Sequence, residues 1–167
     1  MKLRLLALSI VTALAMTSLV VVSPAESAPR TWSKMAVSRD GRTWTKKLSG
    51  PLFTSSTRLV PGDRVTRSFR VRNQSSERAT LMVWVVANDR TGWLRGGTLK
   101  LVVRAIGGRW TPVVRSGTTR VLATRVNPGR VRKILVRASL DRRAGNATMR
   151  RSLPFKIKLR MTSVRGR

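Results

Sequence analysis

The chain has 167 residues, of which 35 are Lys or Arg and only six are Asp or Glu, for a formal charge of +29. It contains no Cys, His or Tyr. Disulfides and thiolate metal sites are thereby excluded, the usual general base and commonest metal ligand are missing, and the catalytic inventory shrinks to Ser, Thr, Lys, Arg and a few carboxylates.

Residues 1–28 read as a signal peptide. Lys2 and Arg4 form a charged start, LLALSIVTALAMTSLVVV (5–22) is an unbroken run of apolar or small residues, and SPAESA supplies helix breakers and small residues for cleavage after Ala25 or Ala28. If retained, the same run, at about 1.5 Å per residue, nearly spans a bilayer core of about 30 Å. Either outcome puts residues 29–167 outside the cytoplasm, secreted or at the cell surface, with membrane contact only through an uncleaved leader. Arg30, Lys34 and Arg39 follow the apolar run, where positive charge opposes translocation. Losing Lys2 and Arg4 with the leader still leaves a charge of about +27.

Residues 29–58 are expected to form an N-terminal arm or the first short strands. Trp32, Met35, Val37, Trp44, Leu48, Leu52 and Phe53 fit two short strands around the DG turn at 40–41, with SGP (49–51) as a break. Freed at one end by cleavage, residues 29–50 are also a candidate donor arm for strand addition to another copy.

Residues 59–167 are expected to hold the core, and their dominant signal is a period of two. In RVTRSFRVR (64–72), Val65, Phe69 and Val71 take one face, while Arg64, Thr66, Ser68, Arg70 and Arg72 take the other. Leu153, Phe155, Ile157, Leu159 and Met161 alternate in the same way with Pro154, Lys156, Lys158, Arg160 and Thr162. A 3.6-residue period would scatter these sets around a helix, so both segments are strands with one dry face. Looser runs follow at 79–88, 98–106, 118–126 and 131–140, separated by NQSSER, NDRTGWLRGG, GGRW, NPGR and DRRAGNATMRR. Short strands with turns between them predict an antiparallel sandwich or barrel. ATLMVWVVA (79–87) is apolar on both faces and belongs at the centre of a sheet.

Two Pro-Gly turns feed similar basic strands, PGDRVTRSFRVR (61–72) and PGRVRKILVR (128–137). Pro61 fixes φ for a turn, Gly62 permits positive φ, and Asp63 can accept a backbone N–H. Asn73 can bond its own backbone as the next hairpin begins. NQS (73–75) and NAT (146–148) match the N-glycosylation pattern, which agrees with exposed loops at both places.

The alternation places the basic side chains of the strands on solvated faces, where Arg64, Arg70, Arg72, Lys156, Lys158 and Arg160 are candidates for binding a polyanion. With screening lengths of about 8 Å such charges reinforce one another. The partners this implies are anionic envelope polymers, anionic lipid or nucleic acid. Nucleic acid would be bound only non-specifically, because the chain offers no groove-reading helix and no aromatic strand of the RNA-recognition kind. Asp40, Asp63, Glu77, Asp89 and Asp141 all fall in predicted turns, where capping accounts for them better than paired acid–base work. No catalytic residue, small-molecule substrate, cofactor or metal site is expected, since no carboxylates cluster and the positive field repels cations.

The stretch LVPGDRVTRSFRVRNQSSERATLMVWV (59–85) resembles secreted bacterial immunoglobulin-like domains. It is most similar to the TasA and camelysin type of exported matrix protein, with Pro61, Gly62, Asp63, Phe69 and Asn73 at the positions of the pattern's fixed points. NPGRVRKILVRASLD and NATMRRSLPFKIKLR are similar to the closing strands of such domains, so the resemblance covers 59–162. It implies an immunoglobulin-like β-sandwich of about seven to nine strands. It also implies a non-catalytic role in the cell envelope or extracellular matrix through protein–protein or surface contacts, including fibre formation.

Overall fold

The computed structural model describes residues 34–48, 50–53, 59–145, 148 and 153–164. The leader read at 1–28 and the NAT asparagine lie outside these. Among the described residues there are eight strands: β1 (Met35–Ser38), β2 (Arg64–Asn73), β3 (Ala79–Ala87), β4 (Leu99–Ala105), β5 (Thr111–Val113), β6 (Gly117–Val126), β7 (Val131–Leu140) and β8 (Phe155–Ser163). They form two antiparallel sheets, one of five strands in the order β1-β2-β7-β4-β5 and one of three in the order β6-β3-β8.

The dry faces predicted from the alternation are the inner faces of these sheets. Phe69, Val71, Leu101, Val103, Ile134 and Val136 from the wider sheet meet Leu81, Val83, Val85 and Val126 from the narrower one, all almost inaccessible to solvent. Burial of such side chains supplies roughly 1.5–3 kcal/mol each, the main force holding the layers together. β3 is central in its sheet, flanked by β6 and β8. The two layers differ in width, with consequences at the rim. Phe155, Ile157, Leu159 and Met161 of β8 face the core but are only half-buried. Arg67, on the core-facing side of β2, stays exposed because the narrower sheet does not reach over it.

The echo between the two Pro-Gly turns has a geometric cause. β2 and β7 are antiparallel neighbours, and each begins at a turn docked on the other's far end. Gly62 donates its N–H to the Leu140 carbonyl at 3.0 Å, and Gly129 donates to the Asn73 carbonyl at 2.9 Å. Gly62 takes φ +93, and the Asp63 carboxylate accepts the Val60 N–H at 3.0 Å, closing the turn around Pro61.

For residues 29–58, expected as an arm or as the first short strands, the described part contributes a short strand to the sandwich. β1 pairs with β2 from Met35↔Asn73 to Ser38↔Arg70, and Ala36, Val37 and Ser38 are buried. The second short strand is reduced to a bridge between Val37 and Thr45. Leu48, Leu52 and Phe53 pack on the core, the last edge-on to Phe155 with ring centroids 5.8 Å apart. Residues 35–38 therefore already have a strand partner within their own chain. That removes them from the donor arm expected over 29–50.

Asn73 corrects a second expectation. Its sequon implied an exposed loop, yet the residue is fully buried and has no room for a glycan. Its side-chain amide donates to the carbonyls of Glu77 at 2.8 Å and Val126 at 3.0 Å, while its oxygen accepts the Ser75 N–H at 3.0 Å. It thus ties the connection from β2 to β3, which crosses from one sheet to the other, to the end of β6. Asn73→Ala leaves the buried Val126 carbonyl without this donor and should cost about 3 kcal/mol, read as a lower urea midpoint, whereas Gln74→Ala on the adjacent exposed position should change it by less than about 0.5 kcal/mol.

Candidate functional site

The six basic residues singled out from spacing lie on opposite sides of the sandwich. Arg64, Arg70 and Arg72 are on the outer face of the five-stranded sheet, and Lys156, Lys158 and Arg160 are on the outer face of the three-stranded one. They cannot form one contact surface.

The two outer faces also differ in what their cations do. On the wider sheet they are largely engaged within the protein. Arg70 donates to the Arg39 carbonyl at 3.1 Å beneath the loop containing Gly41. That glycine has φ +82, and a Cβ there would come within 3.0 Å of the Arg70 side chain. The Arg72 guanidinium lies 4.0 Å from the Trp44 ring centroid. Arg104 and Arg137 both stack on Trp110, at 4.5 and 4.1 Å, and Arg137 also donates to the Thr66 hydroxyl at 3.3 Å. Arg104 Nε is buried with no hydrogen-bond partner. These guanidiniums roof over a sheet face, with stems packed and heads placed against aromatic rings. Arg64 is exposed at the end of β2.

The outer face of the narrower sheet is arranged differently. Its central strand presents Thr80, Met82, Trp84 and Val86, all half-buried. Beside them on β8, Lys156 pairs with Val86, Lys158 with Trp84 and Arg160 with Met82, all three cations exposed. On the other side, Arg120 pairs with Trp84 and Arg125 with Thr80, and both are exposed. Among the described residues none of these five cationic side chains has a hydrogen-bond or ring partner. The strands β3, β6 and β8 contain no acidic residue.

Arg120 reaches this face through a β-bulge. The β3–β6 register shifts between Val83 and Trp84, so that Leu122 opposes Val83 but Arg120 opposes Trp84. Val121 is the extra residue, turned inward and buried at 3 % exposure. An unbroken ladder would have put Val121 beside Trp84 and turned Arg120 toward the core. Regular alternation could not reveal this arrangement. The one sequence signal was the doubled apolar pair Val121-Leu122, which breaks the period of two. Trp84 was overlooked because β3 reads as apolar on both faces, which hides the fact that one of those faces is outside.

The carboxylates serve local structure. Asp63 closes its turn, Asp89 accepts the N–H groups of Trp93 and Leu94 at 2.8 and 2.9 Å, and Asp141 accepts that of Arg143 at 2.8 Å. Glu77 accepts the Ser163 hydroxyl. Asp40 accepts from the Arg42 N–H, the Ser38 hydroxyl and the Thr43 N–H. Those bonds, that of Arg42 foremost, hold its carboxyl well below the usual value of 3.8. None of the five is bonded to a Lys or Arg side chain among the described residues, so the cations remain unneutralised. No group of three metal-ligating side chains occurs among the described residues. A cleft of about 190 Å³ lies along Ser38, Arg39, Asp40, Thr43, Thr45 and Leu48, below the roughly 300 Å³ at which ligand pockets begin.

Comparison with known proteins yields no matching family model and no matching curated protein.

The Asp40 turn should respond to acid in a defined direction. Because its folded-state pKa is depressed, its contribution is fully present above the unfolded value of 3.8 and is lost as pH falls below it. Protection of the Arg42 and Thr43 amides, their exchange measured against the intrinsic rate at the same pH, should hold from pH 7 to about 4 and fall only in stronger acid; in Asp40→Asn that protection should no longer respond to acid.

Proposed function

We propose that this protein is an exported, non-catalytic β-sandwich of immunoglobulin-like type that acts at the cell surface or in the extracellular matrix by holding anionic polymers against its outer surface. One observation carries the reading. The five described carboxylates are committed to turns and a hydroxyl, while a face of the narrower sheet carries five cations with no partner among the described residues. A protein of this charge needs counterions, and a polyanion that supplies them releases small ions into solution. The immunoglobulin-like assignment is supported by two antiparallel sheets between which the chain passes back and forth, β2 and β4 in one, β3 in the other, β7 and β8 again in different sheets. Export rests on the charged, apolar and small-residue pattern of residues 1–28.

Affinity for a polyanion should fall linearly on a log–log plot against salt, by roughly a hundredfold or more between about 50 and about 200 mM, and nucleic acids of different sequence should bind alike. Binding insensitive to salt, measured by fluorescence anisotropy, would contradict this reading.

Fibre formation is a second reading, favoured by the β8 edge. Among the described residues β8 pairs only with β3, over all nine of its residues, and its inward side chains are half-buried, so no described strand occupies its outer edge, to which another strand can add. Copies carrying about +27 repel one another, so association requires the charge to be neutralised. The protein should elute as a monomer at low salt and assemble when an anionic polymer is added; a monomer under both conditions removes the fibre reading.

A further inference from the structure

We infer that the outer face of the β6-β3-β8 sheet is a binding track for an acidic linear polysaccharide, with Trp84 stacking on a sugar ring and the cations on either side meeting carboxylates. This rests on the polyanion-binding reading above and names the ligand class and the face.

Three features of the face point to that class. The first is its cross-section. Met82, Trp84 and Val86 are half-buried, whereas the longer Arg and Lys side chains on the neighbouring strands are exposed, so an apolar floor runs between two cationic walls. Strands lie about 4.8 Å apart, which puts the walls about 10 Å from each other across β3, a width suited to one polymer chain. A bilayer would need the apolar residues to stand proud of the cations, and here they are recessed.

The second feature is that cations line both sides. Trp84 has Arg120 beside it on β6 and Lys158 on β8, so the central ring is flanked symmetrically. In an extended polysaccharide whose successive sugars are flipped, acidic groups emerge alternately to the left and right of the chain axis. A single nucleic acid strand instead keeps its phosphates along one edge and its bases on the other, which would leave one wall unused. Along β8, Lys156, Lys158 and Arg160 recur about every 6.8 Å, so that wall offers repeated contacts to a repeating polymer, while the β6 wall adds two, Arg120 beside Trp84 and Arg125 beside Thr80.

The third feature is the chemistry of the floor. The face of an indole is electron-rich and receives the C–H face of a sugar ring, while a guanidinium matches a carboxylate in fork geometry. The bulge at Val121 brings one such guanidinium, Arg120, to the position next to Trp84. By contrast, Trp44 and Trp110 on the opposite side already have guanidiniums of this protein on their rings.

The test is calorimetric titration of the purified protein at one ionic strength with three probes of equal length: an alginate oligomer, a neutral cello-oligosaccharide and oligothymidylate. Two double variants remove the same charge, Arg120→Ser with Lys158→Ser on the proposed face, and Arg64→Ser with Lys100→Ser on the opposite one. Trp84→Ala removes the floor ring. Alginate should bind more tightly than oligothymidylate of equal charge, and its affinity should fall about tenfold in the first double variant and in Trp84→Ala, but no more than about twofold in the second double variant. Equal losses in the two double variants, or oligothymidylate binding as tightly as alginate, would overturn the inference while leaving the general polyanion reading intact. Binding to none of the charged probes would remove both. The double variants alter exposed side chains only, so they report on the face even if Trp84→Ala proves unstable.

Discussion

Everything in this protein depends on the period-two alternation of its strands being satisfied on both sides of each sheet at once. One face of each long strand is apolar enough to bury against the opposite sheet, and the outer faces of β2, β4, β6, β7 and β8 carry the charge. With a formal charge of +29 on the chain, the cations could not be accommodated inside, because a buried unpaired cation costs several kcal/mol. The pleat sends them outward, and the core of Phe69, Leu81, Val83, Ile134 and Val136 forms without a charged intruder.

What happens to the cations after that differs between the two layers. On the wider sheet, the hairpin after β1 and the Trp110 ring lie over Arg70, Arg72, Arg104 and Arg137, giving those guanidiniums carbonyl and aromatic contacts. Among the described residues the narrower sheet has no such cover: its Trp84 has cations beside it in the ladder but none stacked on its ring, and no described group meets their heads. The same residue types at the same two-residue spacing therefore play a structural part on one side and stay available for a ligand on the other.

Much of this was legible in the sequence. The strict alternation at 64–72 and 153–162 located β2 and β8, the doubly apolar 79–87 was recognisable as a central strand, and the turn-rich segments fell between elements. Two short elements escaped or shrank. β5 has only three residues, too few for any period to register, and the strand expected after the DG turn became a single bridge at Thr45. Layer assignment was not legible at all, since alternation tells which side chains share a strand face but not which sheet a strand joins. For that reason Arg70 and Lys158 looked equivalent and prove to be on opposite sides. The neighbours of Asn73 point to a loop residue; its burial is set by the docking of the turn at 127–130, a contact between segments distant in sequence.

The central claim is that the two outer faces are inequivalent towards an anionic partner. Lysine acetylation footprinting of the purified protein, with and without a bound anionic polysaccharide, tests it most directly. The account predicts that Lys156 and Lys158 become protected while Lys100 and Lys133, on the outer face of the five-stranded sheet, react as before. Uniform protection of all four lysines would show that overall charge, and not the β6-β3-β8 face, governs binding.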